Sequence, residues 1–290
     1  MSQSILVIGG NRYFGVALVE ALLAQGHRVT LANRGNRPDP FGARLQRIRV
    51  DRSDAQAMQA RFGRRTRFDR VYDQVAYGAQ DAQIAAEVFR GRVGRYLMTS
   101  TLEVYDTLHG SLERPYCEAD LVLRPAAETD YGGGKRQAER ILGQAPDLPL
   151  LSLRLGHVLG GPEDFTGRLQ ACVARVQQGQ VLRHAQASGR SSFIDVPGLV
   201  ACMLWAGEQQ FLGALNVACE DGWSALDLHR RIALRLGRQV LSLAQELPGE
   251  GPFDYAAPHE LDLGHLRRLG WKPGRLDDVI DSLVDRHAGA

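Results

Sequence analysis

Lysine is almost missing from this sequence. Lys135 and Lys272 are the only two among 35 basic residues, and the rest are arginines. A lysine retained against that bias invites a role arginine cannot fill, because an ammonium is a compact charge with a tunable pKa. An excess of either charge is also lacking: the net charge is +2. That balance argues against a chain built mainly to grip phosphate backbones. The four cysteines, at 117, 172, 202 and 219, have neither CxxC nor metal-ligand spacing with the histidines. No disulfide framework and no metal site is therefore expected, and the setting is read as reducing and cytoplasmic. No apolar run approaches the roughly 18–20 residues of a membrane span. The opening Met1-Ser2-Gln3-Ser4 has no basic flank and passes through Ile5–Ile8 straight into a glycine turn, unlike a secretory leader. Internal repeats and low-complexity tracts are missing as well.

What is present is an ordinary globular composition: 290 residues, 44% hydrophobic and 23% charged. One large α/β domain, or a domain with a smaller lobe, suits that length. The first half alternates between the two periodicities. Strands are expected at Ile5–Ile8, Val29–Ala32, Leu45–Val50, Val71–Ala76, Tyr96–Thr99 and Leu150–Leu155. Helices are expected over Val16–Leu23, Ala55–Phe62, Asp81–Phe89 and Tyr131–Leu142. Strands separated by helices imply right-handed crossovers and a Rossmann-like, doubly wound parallel sheet. After Gly160-Gly161-Pro162 the pattern loosens. Helices are read at Leu169–Gln177, Leu199–Ala206, Leu226–Leu236 and Leu276–Val284, and strands near Ser192–Ile194 and Leu215–Ala218. Pro248–Pro258 reads as a loop or lid. The expected division is a dinucleotide-binding domain over 1–160 and a smaller substrate lobe over 161–290, with a segment at about 190–207 returning to the first.

Gly9-Gly10-Asn11-Arg12-Tyr13-Phe14-Gly15 lies between the first strand and the first helix. Glycines there let the backbone approach a pyrophosphate resting on the helix N-terminus, where N–H groups and the dipole favour anions. The other reading is a tight turn with no ligand. Strand 2 ends at Asn33-Arg34, about 24 residues past Gly9, where an NAD site usually carries an acid for the ribose 2′-OH. That acid is missing, and Arg34, Arg37 and Arg12 supply guanidiniums instead. Guanidiniums bind phosphate bidentately, so NADP(H) is expected in preference to NAD(H). Solvated loop arginines would look the same in sequence. Asp51 can accept from an adenine amino group or cap a helix in Asp51-Arg52-Ser53-Asp54. Arg52, and Val75 and Ala76 at the end of strand 4, complete the expected cofactor contacts.

Tyr131 and Lys135 stand four apart, on one face of a helix. A free phenol titrates near ~10, and a nearby ammonium favours the phenolate. The same lysine can reach ribose hydroxyls of a bound nicotinamide carrier. With 8 tyrosines and two lysines, a chance Tyr-xxx-Lys is expected only about 0.06 times. Gly132, Gly133 and Gly134 cost about 1 kcal/mol each in a helix. Close backbone approach to a ligand would explain them. Thr101, at the end of strand 5, is expected to hydrogen-bond the reacting oxygen, or else to satisfy a turn. Glu103 reads as a second acid/base or an exposed loop carboxylate. Arg61, Arg64, Arg65, Arg67 and Arg70, interleaved with Phe62 and Phe68, allow a single-stranded nucleic acid reading or a solvated helix end.

These residues resemble the extended short-chain dehydrogenase/reductase superfamily of the NAD-dependent epimerase/dehydratase type. Gly9 and Gly15 match its GxxGxxG turn, with Arg12 at the middle glycine. Ser100-Thr101-Leu102-Glu103-Val104-Tyr105 resembles its S-[ST]-x-x-V-Y strand end, and Tyr131/Lys135 its YxxxK pair. Leu153-Arg154 through Gly161-Pro162, Phe193-Ile194-Asp195-Val196 and Leu269-Gly270-Trp271-Lys272-Pro273 resemble its later motifs. Arg12 and Asn33-Arg34-Gly35 look most like the atypical branch that includes chloroplast stem-loop RNA-binding proteins. Members of that branch often lack the tyrosine that this chain keeps. Leu102 replaces the Asp of the dehydratases' Asp-Glu pair, leaving epimerisation or reduction. The resemblance implies a Thr101/Tyr131/Lys135 oxidoreductase or epimerase acting on a nucleotide sugar or another polyol-like carbonyl compound. It also implies a homodimer pairing the Asp81–Phe89 and Tyr131–Leu142 helices. His157 falls where the family lines the nicotinamide and substrate pocket, and Arg190 near a contact to substrate phosphate. The competing readings are a nucleic-acid-binding protein and a module that binds NADP(H) without turnover.

Overall fold

A computed structural model describes residues 2–63, 65–162, 164–249 and 251–289. In chain order the elements are β1 (Ser4–Ile8), α1 (Phe14–Ala24), β2 (Arg28–Asn33), β3 (Gln46–Arg49), α2 (Ala55–Phe62), β4 (Arg70–Asp73), α3 (Ala79–Phe89), β5 (Tyr96–Thr101), α4 (Tyr131–Gln144) and β6 (Leu150–Leu155). They continue as β7 (His157–Leu159), α5 (Arg168–Gln177), β8 (Leu182–Ala185), β9 (Phe193–Asp195), α6 (Val196–Glu208), β10 (Gly213–Val217), α7 (Ala225–Leu236), β11 (Ser242–Gln245), α8 (Gly264–Arg268) and α9 (Leu276–Ala288).

The central sheet has seven strands in the order β10-β6-β5-β4-β1-β2-β3. Pairings β1–β2, β1–β4, β2–β3 and β4–β5 are parallel, with Ile5 opposite both Val29 and Arg70. The chain therefore builds outward from β1 to β3 and then returns to the other side of β1 to lay down β4. That reversal opens a crevice at the carboxyl ends of β1 and β4, the usual ligand position in such sheets. Ile5, Leu6, Val7 and Ile8 are all buried, as a strand covered on both faces requires. One face packs Met58, Phe62, Ala82, Ala85, Val88 and Leu142 from α2, α3 and α4. On β4, the Tyr72 hydroxyl donates to the Met203 carbonyl of α6 at 3.4 Å.

The chain forms two compact units that interleave. The first is Met1–Val104, Leu121–Arg154 and Val200–Leu215; the second is Tyr105–Asp120, Leu155–Leu199 and Asn216–Ala290. Residues 105–120 thus cluster away from the block in which sequence places them, and the strand read near Leu215 is the seventh of the main sheet, beside β6. Helix α6 starts three residues earlier than read and strand β4 stops at Asp73, short of Ala76. In the second unit α5, α7 and α9 pack together, β7 pairs with β9 and β8 with β11. Helix α7 is fixed at both ends, by a Ser224/Asp227 capping box and by Gly237 in the left-handed region. Among the described residues no helix is long and apolar enough to cross a membrane.

One ion pair is fully buried in the first unit. Arg154 of β6 donates to Glu139 of α4 at 2.7 Å, each side chain being 2% exposed, and Ser100 donates to the same carboxylate at 2.5 Å. It ties α4 to β5 and β6. Arg154→Met leaves an uncompensated buried carboxylate and should cost about 3–5 kcal/mol, read as a lower urea midpoint with an unchanged slope.

Candidate active site

The glycine turn follows directly from the βα junction. Gly9 has φ +86, and its N–H donates to the Ala32 carbonyl at 3.0 Å. A side chain there would meet Val75 as well as the conformational penalty. Val75, expected at the cofactor, thus packs against this turn. Helix α1 begins at Phe14 with no acidic residue in its first turn and no side-chain cap at Tyr13. An anion is suited to that end.

The guanidiniums expected together divide. Arg34 and Arg37 are exposed on the loop after β2, where Asn33 accepts from the Gly35 N–H at 2.8 Å. The Arg49 side chain crosses beside Gly35 and joins them, a residue sequence reading missed because it is adjacent only through the β2–β3 pairing. Arg12 lies near enough to Tyr77 for its charge to oppose the burial that raises the phenol's pKa. Asp51 is not the helix cap. Asp54 caps α2, accepting from the Ala57 N–H at 2.9 Å, while Asp51 accepts from Ser53 and feels Arg34, which together hold its carboxyl below the usual range. The Arg52 guanidinium points into the protein. It donates to both Asp73 oxygens at 2.8 Å and lies 3.6 Å from the Asp81 carboxylate. Asp73 also accepts from the Tyr96 hydroxyl at 2.5 Å, and Asp81 accepts from the Tyr77 N–H at 2.8 Å. Arg52 therefore fastens the segment after β4, where Ala76 is buried, through two carboxylates.

Lys135 and Tyr131 meet as the i, i+4 spacing requires. The Lys135 Nζ donates to the Thr99 carbonyl at 2.7 Å and lies 4.8 Å from the Tyr77 ring centre and 5.8 Å from that of Tyr131. Burial pushes its pKa down to about 8, with Asp73 opposing that shift and Arg52 adding to it. The Tyr131 ring is 53% exposed. Thr101, at the end of β5, accepts from the Glu103 N–H at 3.2 Å, so it does satisfy the turn. Its O–H is still a donor. Glu103 is half-buried. Asp130 caps α4, accepting from the Gly133 N–H at 2.7 Å. The close approaches that require glycine come from the chain itself. A Cβ on Gly133 would strike Glu128, and one on Gly134 would overlap the Tyr77 carbonyl oxygen.

His157 and Arg190 belong to the second unit. His157 is buried with both ring nitrogens engaged: Nδ1 lies 3.4 Å from Arg168 Nη1 and Nε2 2.9 Å from the Tyr255 hydroxyl. A guanidinium only donates, so Nδ1 accepts and Nε2–H donates to Tyr255. Tyr255, in the stretch read as a loop or lid, stacks on His259 at 4.7 Å, and residue 250 of that stretch lies outside the described residues. Arg190 donates to the Gly222 carbonyl and lies 3.5 Å from the Glu260 carboxylate. The nucleic-acid cluster loses its rings, because Phe62 and Phe68 are core residues and Arg70 is buried. Arg61, Arg65 and Arg67 are exposed, and Arg64 lies outside the described residues.

Residues 5–90 match the model of the NAD dependent epimerase/dehydratase family. The chain is 28% identical to the 2'-dehydrokanamycin reductase of Streptomyces kanamyceticus, over 98% of the chain and 78% of that protein. It is 26% identical to the chloroplast stem-loop binding protein of 41 kDa b of Arabidopsis thaliana. That match covers 54% of the chain and 43% of the relative, less than half of its length. Among solved structures it resembles the Bordetella bronchiseptica enzyme WbmG in complex with NAD and UDP. The TM-score is 0.76 at 21% identity, covering 99% of this chain and 96% of that one.

Gly134→Ala tests the packing of α4 against the segment after β4. A backbone oxygen cannot swing aside as a side-chain tip can, so the variant should lose roughly 1–3 kcal/mol by overpacking, measured by chemical denaturation.

Proposed function

We propose, for a chain whose residues 5–90 match the model of the NAD dependent epimerase/dehydratase family, an NADP(H)-dependent oxidoreductase or epimerase with Tyr131, Lys135 and Thr101 as its reacting groups. The observation that carries this reading is the Lys135 ammonium, buried beside the Tyr131 ring, in a chain with only one other lysine. The donor set suits a phosphorylated dinucleotide. Gly9–Gly15 and the α1 N-terminus would hold the pyrophosphate, and Asn33, Arg34, Arg37 and Arg49 the 2′-phosphate, with Asp51 on the adenine side.

When bound, the dinucleotide supplies or accepts hydride. The protein's own work is proton transfer and orientation. Tyr131 Oη gives a proton to the substrate oxygen or takes one from it. Lys135 Nζ favours the phenolate and reaches the ribose. The Thr101 hydroxyl orients the reacting oxygen. Leu102, buried where dehydratases carry an acid, favours reduction or epimerisation over dehydration. The substrate class is a nucleotide sugar or another polyol-like carbonyl compound, a reading supported by the UDP in the WbmG complex and by the 2'-dehydrokanamycin reductase relative. Glu103, half-buried beyond β5, is its expected contact in the first unit. Cytoplasmic location and a homodimer through α3 and α4 belong to the same reading.

Tyr131→Phe should lower turnover by orders of magnitude against a panel of nucleotide sugars, followed by NADPH absorbance, while the NADPH Kd stays the same. Unchanged turnover removes Tyr131 from the mechanism. In calorimetry the wild type should bind NADPH more tightly than NADH. Arg34→Ala should cut that preference about tenfold, the worth of one charge-assisted hydrogen bond. Equal wild-type Kd values overturn the NADP assignment.

A further inference from the structure

Tyr77 follows β4 and precedes α3, in the first unit, and neither the chemistry of the tyrosine–lysine pair nor the glycine turn calls for a large ring there. Its ring is nonetheless nearer to the Lys135 ammonium than the Tyr131 ring is, at 4.8 Å against 5.8 Å. It also leans on Tyr131, with ring centres 6.5 Å apart and planes at 48°. The ring is held from both ends of its own backbone. Its N–H donates to the Asp81 carboxylate, which Arg52 also engages, and its carbonyl oxygen occupies the space that Gly134 leaves on α4. Tyr77 is 54% exposed whereas Lys135 is 1% exposed, so the ring presents one side to water and covers the ammonium with the other.

We propose that Tyr77 is a positioning residue for the Tyr131–Lys135 pair, its ring closing the Lys135 ammonium off from water and bracing the Tyr131 ring. The role deepens the oxidoreductase reading above and rests on it. The ring has two opposed effects on the lysine. Its π face attracts the ammonium and favours the charged form. Its bulk excludes water and disfavours that form. The charged neighbours are spread over every element around the site: Asp73 at the end of β4, Asp81 on α3 and Glu139 on α4 favour the ammonium, and Arg52 opposes it. Glu139 is matched by Arg154, and Asp73 by Arg52. Burial outweighs each of these neighbours in its effect on Lys135. Removing the ring, 4.8 Å from the ammonium and itself open to solvent on its other side, should let water reach Lys135 and raise its proton affinity.

The scarcity of lysine makes this directly readable. Protein labelled with 13C-ε lysine gives two NMR signals, and Lys272→Arg assigns them. In the wild type the Lys135 signal should titrate with a midpoint of about 8. Tyr77→Ala should raise its proton affinity about tenfold or more, one pKa unit being a factor of ten, and leave Lys272 where it was. Tyr77→Ser, which also removes the ring, should do the same, and Tyr77→Phe, which keeps it, should titrate as wild type. A midpoint that stays put or falls in both the Ala and Ser variants overturns the role. NADPH uptake, measured on wild type by calorimetry, is the separate readout for the enzymatic reading. Uptake with an unmoved Lys135 midpoint keeps that reading and rejects Tyr77. No uptake with a raised midpoint rejects the reading, and Tyr77 remains the cover of a buried lysine.

Discussion

A cation held in a nearly dry site is the constraint on which this structure turns. The Lys135 ammonium has the Thr99 carbonyl as its hydrogen-bond acceptor and two phenol rings about it, and burial alone would drive it towards the neutral amine. Its surroundings are arranged against that tendency. Asp73, Asp81 and Glu139 sit on three different elements and supply negative charge, while Arg52 pairs with both aspartates and Arg154 with Glu139. A buried ion pair contributes little to stability relative to apolar packing, but breaking one is costly. Such pairs therefore fix geometry more than they stabilise it. Here they bind α4, which carries the tyrosine and lysine, to β5 and β6, and they bind the segment after β4 to α3.

The glycine-turn end of the first unit obeys a different logic. The arginines after β2 and at the end of β3 lie at the surface. Exposed arginines on the β2 and β3 ends stand beside an Asx turn at Asn33 and beside Asp51, whose carboxyl is committed to Ser53. Exposed guanidiniums are screened and cost little to hold apart. They are free to converge on a phosphate, as Lys135 is not free to move. Within the second unit a stacked imidazole–phenol series runs through His157, Tyr255 and His259, with Arg168 at one end.

The outline of the fold was legible in the chain. Apolar runs of strand length ended by glycine, alternating with 3.6-residue periodicity, specify a doubly wound sheet almost by themselves, and Tyr131/Lys135 is a helical spacing that needs no tertiary information. Asp51 and Arg52 were legible only as candidates. Which of two nearby aspartates caps α2, and whether an arginine faces solvent or Asp73, depends on strands that pair far away in sequence. The glycines of α4 were read as room for a ligand. The Tyr77 carbonyl, from the segment after β4, and the Glu128 side chain, from the segment before α4, take that room at Gly134 and Gly133.

By itself the sequence determined the sheet, the glycine turn at its reversal point and the tyrosine–lysine pair, since each is written in local spacing and composition. Only the tertiary structure decided what surrounds the lysine. Asp73, Thr99 and Asp81 come from two strands and a helix, and Arg52 and Tyr77 from loops between elements, and electrostatics in a low-dielectric interior depends on distance in space rather than on separation along the chain.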